Sequence, residues 1–380
     1  MKILLVGEYS RLHNSLKEGL TLLNHEVTLI STGDYFKDFP ADIKLKRRFD
    51  QSVGKKVKVL IFKLLKFDIT SYLLKRDFFK HQDYLTGFDV VQLINEKPLG
   101  ISCKHEKEVI KFLKLKNKKL FLLSCGNDYI NIKFLTATKS LKYSIITPYQ
   151  EGKIEKKKFS SVLNRLSKEH YHLHQFLLKQ VDGIIASDID YHLPLTEHPL
   201  YKGLIPNPIN LDLLEYKQNP INHKIIIFHG INRGNYYKKG NDFFEKALKI
   251  VKEKYAQKVD IITTENIPYQ EYITYYNKAH ILLDMVYAYD QGYNALEAMA
   301  KGKVVFTGAE TEFLENYDLQ ENEVCINALP DINYLVEKLS WLIENPEKIK
   351  DISLNARAFI KQHHECKKIA KKYIEIYTKS

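Results

Sequence analysis

The sequence predicts an α/β protein whose sheets are mostly parallel and covered by helices on both faces. Three observations carry this. Short apolar runs alternate with helix-period segments in the amino-terminal half, the alternation resumes in the carboxyl-terminal half, and a proline-bearing stretch separates the two. Lys2 to Val6 is the first buried strand. A polar loop, Gly7 to Asn14, leads into a helix with Leu16, Leu20 and Leu23 on its apolar side. Glu26 to Ile30, Asp89 to Ile94, Leu120 to Ser124 and Gly183 to Ser187 are further strands, each reached through a helical segment. Pro206 and Pro208, within Ile205 to Leu211, fix extended geometry and mark the domain boundary.

Beyond it, Lys224 to Gly230 is a buried strand, Asp242 to Lys252 has helical periodicity, and Val259 to Thr263 is another strand. The apolar run Ile281 to Val286 then reads as a strand, Gly292 as a turn, Ala295, Leu296, Met299 and Ala300 as a helix face, and Val304 to Phe306 as the next strand. Asn345-Pro346-Glu347 opens the last helical region.

Ligands of such sheets bind at the carboxyl ends of the strands, so the loops after Val6, Ser124 and Phe228 matter most. The Asp290 to Phe306 stretch places Glu297 just inside a helix that follows a glycine turn. Amide groups at a helix start can hold a diphosphate, and a first-turn Glu can accept hydrogen bonds from ribose hydroxyls. A bland alternative stands beside this: Asn294 and Glu297 have the spacing of an N-cap and its reciprocal partner in a capping box. The loop Ile231 to Gly240 carries Arg233, Lys238 and Lys239 between a strand and the positive end of a helix. Cations there are mildly unfavourable unless they share an anion, and Arg233 with Lys239 makes a chemically sensible diphosphate clamp. A solvated basic loop is the alternative. In the amino-terminal half, Ser10, Arg11, His13 and Asn14 follow the first strand and Cys125 to Asp128 follow the Leu120 strand. Asn127-Asp128 also fits an Asx turn or helix cap.

Taken together, Arg233, Lys239-Gly240 and Leu296-Glu297-Ala298-Met299-Ala300 resemble the donor half of retaining GT-B glycosyltransferases, most closely glycosyltransferase family 4. The resemblance spans the carboxyl-terminal half by motif and the amino-terminal half by layout only. It implies a GT-B fold of two Rossmann-like domains with parallel sheets facing a central cleft: residues 1–206 for the acceptor, 207–358 for the nucleotide-sugar donor, and 359–380 as a helix crossing back. It implies catalytic roles for Arg233, Lys239 and Glu297, donor contacts from Gly230, Pro268, Gly292, Tyr293 and Asn294, and substrate contacts from Ser10, His13, Asp128 and Asp290. The family's usual motif has an earlier Glu eight residues before the helix Glu. That position is Tyr289 here, with Asp290 as the nearby substitute. The clamp would stabilise charge developing on the departing diphosphate; stereochemical retention follows from the resemblance alone, and no strong general base stands out. Two rivals are a nucleotide-sugar epimerase or hydrolase on the same scaffold and a non-catalytic nucleotide-sugar or glycan-binding protein.

Composition fits this reading. With 380 residues, 44% of them hydrophobic, the chain can build two cores. Cys103, Cys125, Cys325 and Cys366 form no CxxC pair and suggest reduced thiols. No signal peptide and no apolar run of roughly 20 residues is visible, which predicts a cytoplasmic protein, soluble or peripheral at the inner membrane face. The 58 basic and 46 acidic side chains leave +12. Lysines and arginines from Lys44 to Lys66 interleave with Val57, Leu60, Ile61, Phe62, Leu64, Leu65 and Phe67. This cationic, amphipathic segment suits an anionic membrane surface bearing a lipid-linked acceptor, and equally a helix docked on its own domain. The other expected partners are a nucleotide sugar and a glycan. No recognised nucleic-acid motif accompanies the charge. His170 and His174 share a helix face but lack companions for a metal site, and no metal cofactor is expected because protein cations and helix ends would neutralise the diphosphate.

Overall fold

The computed structural model describes residues 1–34, 37–50, 52–217 and 219–379, apart from the side chains of Ser52, Tyr269 and Gln270. It contains two compact units: Met1–Phe134, Ser161–Pro208 and Cys366–Ser380 form unit 1, and Leu135–Ser160 with Ile209–Glu365 form unit 2.

Unit 1 holds seven strands: β1 (Lys2–Val6), β2 (Glu26–Ser31), β3 (Ile43–Lys44), β4 (Val90–Leu93), β5 (Lys119–Ser124), β6 (Gly183–Ala186) and β7 (Tyr201–Leu204). Their order is β3-β2-β1-β4-β5-β6-β7, and each pairing is parallel. Parallel strands covered on both faces need apolar residues at every position. Ile3 to Val6, Val90, Val91 and Leu120 to Leu123 are accordingly buried, packed under helices that supply Val109, Ile110, Leu113, Leu173 and Leu177. The exception in the central strand is Gln92. Its Oε1 accepts a hydrogen bond of 2.9 Å from the Tyr377 hydroxyl on the last helix, Cys366–Lys379, so the polar group is not left unsatisfied.

Unit 2 holds β8 (Ile225–Ile231), β9 (Val259–Glu265), β10 (Ile281–Leu283), β11 (Val304–Thr307) and β12 (Ile326–Asn327), in the order β12-β11-β10-β8-β9 and again parallel. Counted from β8 this is the 2-1-3-4-5 order of doubly wound sheets, and the order in which strands are added reverses between β8 and β10. In unit 1 the reversal falls between β1 and β4. Both units are thus Rossmann-like, and the α/β class with two parallel sheets stands as the sequence predicts.

Differences are local. The strand expected over Ile281 to Val286 stops at Leu283, because Asp284 turns its carboxylate into an ion pair. The first helix is Leu12–Thr21, so His13 and Asn14 sit in its opening turn and Leu23 lies beyond its end. The basic segment forms a helix over Ser52–Leu65. Val59, Leu60, Phe62, Leu64 and Leu65 on it are all exposed, so it is not docked by a continuous apolar stripe. Among the described residues no helix is long and apolar enough to cross a membrane.

Candidate functional site

In unit 2 the chain leaves β8 through Asn232, whose side chain accepts the Gly234 N–H at 2.9 Å, and forms one helical turn, Tyr236–Lys239. Gly240 ends that turn with φ 69°, and a Cβ there would lie 2.6 Å from Val286 Cβ. Only glycine meets both demands. The close approach lets the Val286 N–H donate to the Lys239 carbonyl at 2.9 Å and brings the Lys239 side chain to the end of β10. There Lys239 Nζ lies 2.8 Å from Asp284 Oδ1, a carboxylate that is 3% exposed. Asn294 Nδ2 donates to the same oxygen at 2.8 Å. Asn294 is in turn fixed by the Tyr272 hydroxyl, which donates to its Oδ1 at 3.1 Å, and by the Tyr276 hydroxyl, which donates to its carbonyl at 3.0 Å. Lys239, Asp284 and Asn294 therefore tie the β8 loop, the end of β10 and the start of the helix Tyr293–Ala300 into one constellation at the switch point. Gly230 belongs to the same region: the Tyr272 ring lies so close that a Cβ at 230 would be 2.4 Å from it.

Gly292 is the N-cap of Tyr293–Ala300 and is exposed, with nothing within 4 Å of where a Cβ would stand. Asn294 is thus the second helical residue, not the cap, and Glu297 the fifth. The capping-box alternative does not form, and neither does the first-turn Glu: the first turn carries no acidic residue, and Glu297 projects half-buried from the second. Pro268 is the residue before the helix Tyr269–Lys278.

Arg233 is placed differently from Lys239. Its Nε and Nη2 donate to Glu265 Oε1 and Oε2 at 2.6 and 2.7 Å, and its guanidinium lies 4.6 Å from the centre of the Tyr236 ring. Glu265 ends β9 and faces Ile231 in the sheet register. The two clamp cations thus rest on separate carboxylates. Glu265 holds the Arg233 guanidinium firmly protonated, and Arg233 draws the Glu265 carboxyl below its usual range. Burial, then the neighbouring Lys239, lowers the Lys238 ammonium from its ordinary value.

The position of the family's earlier Glu is structural here. The Tyr289 ring is 2% exposed and its hydroxyl accepts the Lys142 N–H at 2.8 Å. Asp290 is also buried, and its Oδ1 accepts the adjacent Gln291 N–H at 2.7 Å.

Unit 1 gathers buried ionisable groups at the carboxyl ends of β1, β4 and β5. Glu8 accepts from the Asn14 N–H and Nδ2 at 2.9 and 2.6 Å, and burial pushes its carboxyl up to about 7. His13 is a fully buried core residue. Its Nδ1–H donates to the Gly7 carbonyl at 2.8 Å, and burial lowers it to about 3, so the ring is neutral at physiological pH. Ser10 is tied to the segment after β2: its N–H donates to Asp34 at 2.9 Å and its hydroxyl accepts from Lys37 at 2.8 Å. Asp128 accepts from the Ser124 hydroxyl and the Asn131 N–H, both at 2.8 Å, so the helix-cap reading holds. Burial first, and the charge of Glu96 second, raise Asp128 to about 7. Glu96 accepts from His174 Nδ1 at 2.7 Å and from the Tyr129 N–H at 3.1 Å. His170, by contrast, faces Ser167 at 2.9 Å. Among the described residues no group of three or more His, Cys, Asp or Glu is placed to hold a metal ion.

Sequence reasoning missed Asp284, Glu265, Glu8 and Glu96. A carboxylate interrupting the apolar run Ile281 to Val286 was the available signal for Asp284. The others look like ordinary loop acids until the strands around them close.

Comparison with known proteins agrees with this architecture. A family model described as glycosyl transferase-like matches residues 237–375. No curated protein matches. Among solved structures, sucrose-phosphate synthase from Thermosynechococcus elongatus superposes with TM-score 0.62 at 14% identity over 100% of this chain and 99% of that one. HepE from Anabaena, in complex with UDP and glucose, gives TM-score 0.57 at 13% identity over 100% of both chains. UDP-GlcNAc 2-epimerase from Neisseria meningitidis, bound to UDP-GlcNAc, gives 0.51 at 14% identity over 100% of both. The fold is GT-B-like.

Proposed function

We propose that this protein is a glycosyltransferase that moves a sugar from a nucleoside-diphosphate sugar to a cell-envelope glycan or its lipid-linked precursor, with retention of configuration. The observation that carries the reading is the Lys239–Asp284–Asn294 constellation at the switch point of unit 2. Asp284 fixes the Lys239 ammonium beside a helix start but uses only one of its three donor positions. A diphosphate placed there gains a cation already held in position and the positive end of a helix. Arg233 joins by leaving Glu265. Both partners of that pair are close to half exposed, and exposed ion pairs are weak enough to exchange for a phosphate. Glu297, in the second turn, is within the same helix to accept ribose hydroxyls. As the bond to the sugar breaks, Lys239 and Arg233 stabilise the charge gathering on the leaving diphosphate. No metal is needed for that step in this proposal.

The acceptor side is proposed to meet an anionic membrane surface from the cytoplasmic side. The helix Ser52–Leu65 carries Lys55, Lys56, Lys58 and Lys63, no acidic residue, and exposed Leu60, Phe62, Leu64 and Leu65. Full burial of each such side chain is worth roughly 1.5–3 kcal/mol, a gain that water withholds and a lipid interface supplies.

Lys239→Ala and Glu297→Ala test the assignment, with donor affinity read by calorimetry. Each is expected to weaken donor binding at least tenfold with the circular dichroism spectrum unchanged; undiminished affinity in both would reject it. The likeness to an epimerase keeps one rival in view. Turnover of donor in the absence of any acceptor would favour that rival, and incorporation of sugar into an acceptor would exclude it.

A further inference from the structure

The opposite edge of the unit 2 sheet holds a second cluster of cations. Where β8, β10 and β11 begin, the structure opens a cavity of about 530 Å3 lined by Lys217, Lys278, His280, Lys301 and Lys303, with Glu215 as the acidic wall residue. Lys303 immediately precedes β11 and is 2% exposed. Its Nζ donates to the Asn277 carbonyl at 2.9 Å and, at 3.4 Å, to the Lys217 carbonyl, both of them neutral. Lys301 Nζ donates to Asn277 Oδ1 at 2.9 Å, also neutral. Among the described residues no carboxylate oxygen lies within 4 Å of the amino groups of Lys217, Lys278, Lys301 or Lys303.

Part of this is ordinary helix chemistry. Lys278 and Lys301 stand at the carboxyl ends of the helices Tyr269–Lys278 and Tyr293–Ala300, where cations are favourable. Lys303 shares in it through the Asn277 carbonyl, in the last turn of Tyr269–Lys278, but unlike the other two it is buried. Burying an ammonium costs several kcal/mol unless a counter-charge accompanies it. Here burial, with Lys301 and Lys217 adding repulsion, brings Lys303 down to about 8, still protonated at neutral pH. A cavity lined by four lysines, one of them a buried ammonium held by carbonyls alone, has the composition of an anion site.

We propose that this cavity binds a phosphate-bearing small molecule, distinct from the donor, with Lys303 at its floor, Lys278 and Lys301 at its rim, and Ile226 and Pro220 against the organic part. Phosphate fits better than a carboxylate because four lysines line one cavity and each contributes a compact, strongly charged donor. The helix Tyr293–Ala300 starts at the donor constellation and ends at this rim, about 12 Å of axis for its eight residues. The two sites are therefore separable.

Inorganic pyrophosphate is the probe, titrated into the full chain by calorimetry. In a Lys239→Ala background, which removes the donor-site cation, one pyrophosphate is expected still to bind. Adding Lys278→Gln and Lys301→Gln, which keep side-chain length and hydrogen-bonding capacity, is expected to weaken that binding at least tenfold with the circular dichroism spectrum unchanged. No binding in Lys239→Ala, or binding that persists undiminished in the triple variant, overturns the proposal. If the Lys239→Ala change instead leaves two equal sites, the donor assignment fails while the second site stands.

Discussion

Asp284 and Lys239 show how little of a site's electrostatics resides in the residue that sequence picks out. Lys239 is legible because it stands beside a glycine between strand and helix. Its position, however, is set by a carboxylate forty-five residues away that sequence reads as part of a strand. The same holds for Arg233, whose partner Glu265 terminates a neighbouring strand. Buried acids are harder still, because burial is a property of the closed fold. Glu106 illustrates the consequence. It is fully buried, accepts the Ile101 N–H at 2.9 Å, and burial raises its carboxyl to about 7. A native value above the unfolded one means that the folded state holds the proton more tightly. The stabilisation is complete below about 4.5, the unfolded range, and is lost as pH rises through about 7. Glu106→Gln keeps the acceptor and removes the titration. Relative to wild type it is expected to gain roughly 1–3 kcal/mol between pH 5 and pH 8, read from urea unfolding at both. A gap independent of pH would mean that Glu106 is ionised throughout.

At the scale of elements, legibility follows burial on both faces. The central strands β1, β4, β5, β8, β10 and β11 are near-continuous apolar runs because helices cover both sides, and such runs announce themselves. Of the four edge strands only β9, seven residues long, does so; the other three do not. β3 and β12 have two residues each, and β7 contains Gly203 at φ 118°; none is long enough to show a period. Helix starts are the weakest point, since the Asn294–Glu297 spacing fits a capping box and the helix nonetheless begins earlier, at Tyr293 with Gly292 as its N-cap. For the segment around Lys55 to Lys66, sequence puts a docked helix and a membrane-facing one on equal footing, and the proposed membrane contact takes the second. Leu60 and Leu64 are 57% and 72% exposed. Leu60→Glu with Leu64→Glu should therefore change the unfolding free energy by no more than about 0.5 kcal/mol, as expected of surface positions. Co-sedimentation with phosphatidylglycerol-rich vesicles should fall at least tenfold. A large loss of stability would instead show that the helix packs on the protein.

On the scale of the whole molecule, each unit repeats one design: a parallel sheet, a reversal of strand order, and polar groups gathered at the carboxyl edge beside the reversal. The units differ in what they gather. Unit 2 collects cations beside a helix start, whereas unit 1 collects carboxyls and imidazoles held neutral or near-neutral by burial, such as Glu8, His13 and Asp128. Phosphate chemistry suits the first set. The second suits hydroxyl-rich ligands, which want uncharged or weakly charged hydrogen-bond partners. Unit 2 also draws in Leu135–Ser160 from far upstream: Lys142 pairs with Glu310 at 2.7 Å, Tyr143 donates to the same carboxylate, and Lys153 lies 4.8 Å from the Phe243 ring centre. No local pattern in sequence could announce that, because the segment carries neither a strand nor a long helix. The division of labour has a measurable outcome. Hydrogen exchange with saturating nucleoside diphosphate should slow amides of the β8 loop, residues 231–241, and of the helix start, residues 292–298, because binding opposes the local opening that exchange requires. The carboxyl-edge loops of unit 1, residues 7–14 and 124–129, are not expected to respond to the bare diphosphate. Protection by the bare diphosphate confined to unit 1 would overturn the proposal that the phosphate site lies in unit 2.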